Sequence, residues 1–207
     1  MAERFSAAGI VLAAGRSSRM GAHKLLLPLG GRPLVGYAVR AALASRAHPV
    51  FVVLGHEAGQ VRAALPAGAF QIIENPRYAE GMATSLRAGI AAVPVEATGA
   101  IVLLADQPLL RSEHVNRLLA EAKAAPEAIV AASYDGQRGN PVYFPRALFG
   151  ELLVVEGDEG GRSVIARHPE RLQLVALELE AALDVDRPGE YEAMVASWER
   201  YSRMGEG

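Results

Sequence analysis

Along the chain, short apolar runs rich in Val, Ile and Ala alternate with stretches in which apolar residues recur every three or four positions. The runs cover residues 8–14, 50–54, 70–74, 100–105 and 128–134. Each is nearly continuous in hydrophobicity, which predicts strands buried on both faces. Helical stretches fall between them at 34–45, 60–65, 83–92 and 113–124, the last with Ser112 in the position of an N-cap. Strands that alternate with crossover helices build a mostly parallel sheet. The predicted fold is α/β, a Rossmann-like three-layer αβα sandwich with a mostly parallel sheet.

After Tyr134 the rhythm changes. DGQRGN reads as a turn, PVYF as a short strand, and GDEGGR as a glycine-rich loop opening a helix at 163–168. A last strand-like run at 172–177 leads through ALDVDRPGEY into a helix at 188–201, where Pro188 suits the first turn. This half is expected to extend the sheet and cover its open edge, and the tail 202–207 to fray. No internal repeat, low-complexity tract or long linker marks a boundary. One domain over 1–207, with its core at about 8–190, is the expectation for this length.

Composition narrows the function classes. At 51% hydrophobic and 21% charged residues the chain suits a folded globule. A net charge of −2 without like-charge runs lacks the footprint of a nucleic-acid binder. The absence of cysteine removes disulfides, thiolate metal sites and cysteine nucleophiles. No apolar stretch is long enough to span a membrane, and MAERFSAAG lacks a signal-peptide core, so a cytoplasmic location is expected.

The chemistry is expected in the loop after the first strand, LAAGRSSRMGAHK, because ligands of open parallel sheets bind outside the strands' carboxyl ends. Glycine lets backbone N–H groups approach an anion, and Arg16, Arg19 and Lys24 add positive charge, so the residue types fit a polyphosphate. A P-loop would need Lys-Ser/Thr after the second glycine, where Ala22 and His23 stand. A dinucleotide fingerprint would need a glycine that GRSSRMG lacks.

Leu12-Ala-Ala-Gly-Arg-Ser-Ser-Arg-Met-Gly-x-x-Lys24 resembles the signature loop of the nucleotidyltransferases related to the molybdenum cofactor guanylyl- and cytidylyltransferases. The resemblance continues in ENPRYAEGMATSLRAG from Glu74, LLADQP from Leu103, GNPVYF from Gly139, GDEGGR from Gly157 and DVDRP from Asp184. It implies the nucleotidyltransferase fold and a reaction in which an acceptor phosphate attacks the α-phosphorus of a nucleoside triphosphate and pyrophosphate leaves. Carried over, Leu12, Ala13, Ala14 and Gly15 would line base and ribose. Arg16, Ser17, Arg19 and Lys24 would meet the phosphates, and Gly81 and Ser85 the nucleotide. Asp106 would bind Mg2+, and Arg19, Lys24 and Asp106 would form the catalytic set. Asn140, Pro141 and Asp158 would face the acceptor.

Elementary chemistry agrees, since nucleotidyl transfer asks mainly for positioning and charge neutralisation. Asp106, directly after an apolar strand, would sit at the sheet's carboxyl end; its structural alternative is a turn aspartate before Pro108. Asp184 is preferred as second metal ligand over Asp186, which could instead cap the helix beginning at Pro188. Asp158 has a similar alternative as a helix cap. The family often has threonine where Arg187 stands. His23 reads as a solvated loop residue and His56 as bordering the base, while His48, His114 and His168 read as surface residues.

Within the resemblance, guanylyl enzymes tend to carry glycine at the position of Ala14, and a methyl group there narrows the pocket in favour of CTP. The implied acceptor is molybdopterin carrying molybdenum, with transient contact to a molybdenum hydroxylase or its maturation chaperone. The alternatives are another phospho-acceptor, such as a sugar or polyol phosphate, use of GTP, or a non-catalytic nucleotide-binding or chaperone protein.

Overall fold

The computed structural model describes residues 5–16, 20 and 23–203. Its strands are β1 (Ala7–Ala13), β2 (Pro28–Leu29), β3 (Arg32–Pro33), β4 (Val50–Leu54), β5 (Gln71–Glu74), β6 (Gly99–Leu104), β7 (Ile129–Tyr134), β8 (Gln137–Pro145) and β9 (Leu172–Ala176). Its helices are α1 (Val35–Ala44), α2 (Ala58–Ala64), α3 (Met82–Ala91), α4 (Ser112–Ala124), α5 (Phe149–Leu152), α6 (Arg162–Arg167) and α7 (Pro188–Arg203). Seven strands form one sheet in the order β5-β4-β1-β6-β8-β7-β9, and β2 and β3 form a separate small hairpin. Only β8 runs antiparallel to its neighbours, so the sheet is mixed but mostly parallel.

Strand alternation splits the core by face. Val11, Ala13, Val52, Leu54, Ile101 and Leu103 point to the side covered by α1, α2 and α4. Ala8, Ile10, Phe51, Val53, Ala100 and Val102 point to the side covered by α3, α5 and α6. The αβα sandwich expected from the sequence is thus present. Burial of each Val, Leu, Ile or Phe side chain among them contributes roughly 1.5–3 kcal/mol. A third cluster, of Leu29, Leu34, Leu109, Val185 and Met194, ties α7 to the hairpin, and Trp198 packs edge-on to Tyr37 within it.

Several expectations change. Burial on both faces holds for β4 and β7, whereas β5 is an edge strand with an exposed or half-buried pattern. DGQRGN is not a turn throughout: only Asp135 (φ 49°) and Gly136 (φ 77°) turn, and β8 begins at Gln137. Two residues with positive φ form the hairpin connection that matches strand twist. Ser112 is not the N-cap of α4 but its first residue; the backbone N–H of Arg111 donates to His114 Nδ1 at 3.2 Å instead. His114 is accordingly buried rather than on the surface.

Candidate active-site cleft

β1 lies between β4 and β6, parallel to both, so the chain leaves β1 in one direction and later returns on its other side. This is a topological switch point, where loops diverge and leave a crevice at the carboxyl ends of the strands. A cleft of about 670 Å³ occupies it. Leu12, Ala14, Gly15, Arg16 and Lys24 line it from the first loop, Gly81 and Ser85 from the start of α3, and Asp106 from the end of β6. Asp158, Asp184 and Asp186 complete the anticipated set.

Ala13 departs from it. Alternation turns its methyl group into the core beneath α1, so only its backbone could serve the cleft. Pro141 lines neither this cleft nor the neighbouring one and is buried in β8. Ser17 and Arg19 lie outside the described residues.

Lys24 is the electrostatic centre. Its Nζ donates to Asp106 Oδ2 at 2.6 Å and to Asp186 Oδ1 at 2.5 Å. Burial alone would lower the lysine's pKa, but the two carboxylates, Asp106 foremost, outweigh it and raise the value. The ammonium therefore stays charged. Asp184 is pushed in the opposite sense to an ordinary carboxylate with a cation nearby: burial, then Asp106 and Asp186, raise its pKa more than Lys24 lowers it.

Asp106 Oδ1 is buried without a hydrogen-bond partner among the described residues. An acceptor oxygen left in that condition costs about 1–3 kcal/mol unless something binds it. With Asp186 held on the same ammonium, it fits a hard cation of the Mg2+ type, which takes one or two carboxylates together with substrate oxygens. No group of three or more His, Cys, Asp or Glu forms a ready-made cage among the described residues. At the start of α7 the backbone N–H groups of Asp186 and Arg187 both donate to Glu190 Oε2 at 2.8 Å, so a glutamate of the helix satisfies that backbone.

The far wall rests on contacts that single residue types did not announce. Buried Asn75 donates to Thr84 Oγ1 at 2.8 Å and Ser85 Oγ at 2.9 Å, and its Oδ1 accepts from the Arg77 N–H at 3.0 Å. It thereby fixes the 75–81 segment against α3 and orients Ser85. The glycine-rich loop docks on the same helix: Ala83 N–H donates to Gly157 O at 3.0 Å and Met82 N–H to Asp158 Oδ1 at 3.2 Å. Asp158 is thus a cap, but of α3 rather than of the helix that follows it. Tyr78, Glu80, Met82 and Arg162 also line the cleft, none of them anticipated. For Tyr78 and Glu80 the available signal was position, within the same motif as Gly81.

His23 and His56 do not line the cleft. Their rings stack at 5.5 Å, and His23 Nδ1 is buried without a partner, so His23 is not a solvated loop residue. The His56 ring meets Tyr78 at 5.8 Å, and the Arg16 guanidinium lies 5.7 Å from the Tyr78 ring centre. Tyr78, itself part of the cleft wall, thus contacts the first loop through Arg16 and the end of β4 through His56. A second cavity of about 520 Å³ adjoins the first and shares Leu12, Met82, Leu104, Asp158 and Arg162 with it; Asn140 lines this one.

A mostly parallel αβα sheet with a polar cleft at its switch point makes this an α/β protein of the nucleotidyltransferase fold. The chain belongs to the MobA-like NTP transferase domain family, whose model matches residues 9–172. It is 33% identical over 196 residues to the purine catabolism protein PucB of Bacillus subtilis (strain 168), covering 89% of this chain and 93% of PucB. It is 34% identical over 176 residues to nicotine blue oxidoreductase of Paenarthrobacter nicotinovorans, covering 81% of this chain and 85% of that one. Among solved structures it is similar to Rv0371c of Mycobacterium tuberculosis H37Rv in complex with manganese, with a TM-score of 0.78, 29% identity, and coverage of 93% of this chain and 99% of the other. The chain is a nucleotidyltransferase of this family, and no helix among the described residues is long and apolar enough to cross a membrane.

Proposed function

We propose that the protein transfers CMP from CTP to the phosphate of molybdenum-bearing molybdopterin, giving molybdopterin cytosine dinucleotide and pyrophosphate. The observation that carries the transfer reading is Lys24 held between Asp106 and Asp186 beside a buried, unpartnered Asp106 Oδ1. A triphosphate entering the cleft would bring oxygens for Lys24 and Arg16. Gly15 leaves space for it, since a Cβ there would meet no atom of the described residues within 4 Å. Arg19 and Ser17 are assigned to the same phosphates on the signature loop alone.

In the transfer, an oxygen of the acceptor phosphate bonds to the α-phosphorus, the bond from that phosphorus to the β-bridging oxygen breaks, and its electrons leave on pyrophosphate. Asp106 with Asp186, and Asp184 beside them, would hold Mg2+, which supplies neutralisation of phosphate charge when bound. Lys24 would exchange a carboxylate for phosphate oxygens as the substrate binds, so that positive charge stays where negative charge gathers. Ser85, oriented by Asn75, would meet the nucleoside, and the Ala14 methyl group favours the smaller base.

The acceptor assignment is supported by the family and by Asn140 and Asp158 on the adjoining cavity. The test is Mg2+-dependent pyrophosphate release from each of the four triphosphates, with and without molybdenum-bound molybdopterin. CTP with that acceptor is expected to be fastest, and Asp106→Asn to lower the rate at least about a hundredfold while the fold persists. Faster turnover of GTP overturns the choice of base. Triphosphate binding without release in any combination overturns transfer in favour of a binding module.

A further inference from the structure

The second cavity carries charge that the transfer chemistry does not use. Arg138 enters it from the start of β8, and Arg162 from the first turn of α6. Neither guanidinium has an ion-pair or hydrogen-bond partner among the described residues. Two carboxylates share the cavity, Asp158 and Glu159, but Asp158 Oδ1 is engaged by the Met82 N–H at 3.2 Å, and neither forms a salt bridge to the arginines. The charge that acts on Arg138 is the other arginine: desolvation first, and then Arg162, lower its pKa from the ordinary guanidinium value.

Two like charges facing one concavity repel and gain most from an anion placed between them. Guanidinium groups are suited to this, because their planar forks bind oxyanions with charge-assisted, often bidentate hydrogen bonds. Leu86, Val142, Phe144 and Ile165 give the cavity an apolar floor, with the two exposed guanidinium groups at its rim where a ligand can reach both. Arg162 also lines the first cleft, so the two spaces adjoin at this residue.

We infer that Arg138 and Arg162 form an oxyanion-binding pair that recognises a second anionic group on the acceptor, separate from the phosphate that reacts. This rests on the acceptor reading for its ligand, but the pair itself is defined by the cavity. It selects acceptors that carry negative charge at both ends over phosphomonoesters with a neutral body. The metal-oxo end of a molybdenum-bearing pterin is a group of that class.

The test uses inorganic molybdate as the probe, in equilibrium dialysis with the full chain. Wild-type protein is expected to bind it, and Arg138→Gln and Arg162→Gln each to weaken binding at least about tenfold. Lys24→Ala should retain it, because Lys24 lines only the first cleft. Circular dichroism confirms that each variant is folded, and Arg138→Lys should recover part of the affinity, as a charge but not a fork remains. In steady-state transfer, Arg138→Gln, at a residue that lines only the second cavity, should raise the acceptor KM about tenfold or more and leave the CTP KM unchanged.

Equal molybdate binding by wild type and both glutamine variants overturns the pair, as does loss of binding in Lys24→Ala alone. Absence of binding by wild type overturns it as well. Binding that depends on Arg138 and Arg162 in a protein that never turns over a pterin would keep the anion site and remove the proposed acceptor, so the two failures are separable.

Discussion

Gly81 and Gly15 line the same cleft, yet replacing each with alanine should fail in opposite ways. Gly81 has φ 111° and ψ 166°, a region open essentially to glycine alone, and a side chain held there costs about 1–3 kcal/mol. Its Cβ would also stand 2.5 Å from Gly157 O and 2.9 Å from Asp158 Oδ1. Gly157 O is the acceptor for the Ala83 N–H, so relieving the clash means moving the glycine-rich loop off α3, with the loss of a further hydrogen bond, about 1 kcal/mol. Gly81→Ala should therefore destabilise by about 2–4 kcal/mol, or lower Tm by about 4–16 °C for a chain of this size. Urea unfolding followed by circular dichroism reads the first number, and amide exchange at Met82 and Ala83 reads the undocking directly. At Gly15 the added methyl group meets no atom of the described residues within 4 Å. Gly15→Ala should stay within about 0.5 kcal/mol of the parent while triphosphate affinity falls roughly tenfold to a hundredfold, from a methyl group placed in the ligand's space. A Gly81→Ala protein within 0.5 kcal/mol of the parent, or one whose exchange at Ala83 is unchanged, refutes the docking argument.

Two further outcomes test other parts of the structure. His114 is buried, and desolvation lowers its pKa from 6.5 despite Glu178 Oε2 at 3.2 Å from Nε2. The unfolded chain then takes up a proton that the folded chain refuses, so stability is complete above pH 6.5 and falls as pH drops from there through the folded value. His114→Gln should flatten that part of the stability profile, and an unchanged slope in urea titrations between pH 5 and 7 would exclude His114 as its source. Ala14→Gly should shift the ratio of kcat/KM for CTP and GTP toward GTP by about tenfold, the usual effect of one methyl group in a pocket, and an unchanged ratio would move base selection elsewhere.

The sandwich was legible because β1, β4, β6 and β7 are apolar runs of strand length, rich in Val, Ile and Ala, set between segments of helical period. β8 was half hidden: Gln137, Arg138, Gly139 and Asn140 are turn-forming or polar types, and only pairing with β7 makes them a strand. α5 spans four residues, too few for a period to show. His114 could have been placed correctly, since it stands four and eight residues before Leu118 and Ala122 on one helical face, and both of those are buried. The Asn75 network could not, because nothing in the spacing says that an asparagine before proline will reach into the helix that follows.

The pairing on Lys24 shows why motif spacing alone left two aspartates in competition. Asp184 and Asp186 are two apart in an extended segment, so alternation puts them on one side and cannot separate them. The separation comes from the next helix. Pro188 begins α7, which makes Glu190 its third residue, and a glutamate at that place reaches back to the backbone at the helix start. Glu190 takes both the Asp186 and Arg187 N–H groups, so the cap does not require the Asp186 carboxylate. That carboxylate instead spans 162 residues of sequence to Lys24, joining the last motif to the first on one ammonium. A glutamate three residues into a helix thereby decides which aspartate meets the lysine, and Glu190→Gln, which preserves the reach but weakens the charge, should leave the pairing intact where Glu190→Ala loosens it. Triphosphate affinity should follow the same order, falling with the alanine variant by about threefold to tenfold and hardly at all with the glutamine variant, as expected for loss of a cap worth about 1 kcal/mol. Equal affinities for the two variants would mean that the cap does not position Asp186.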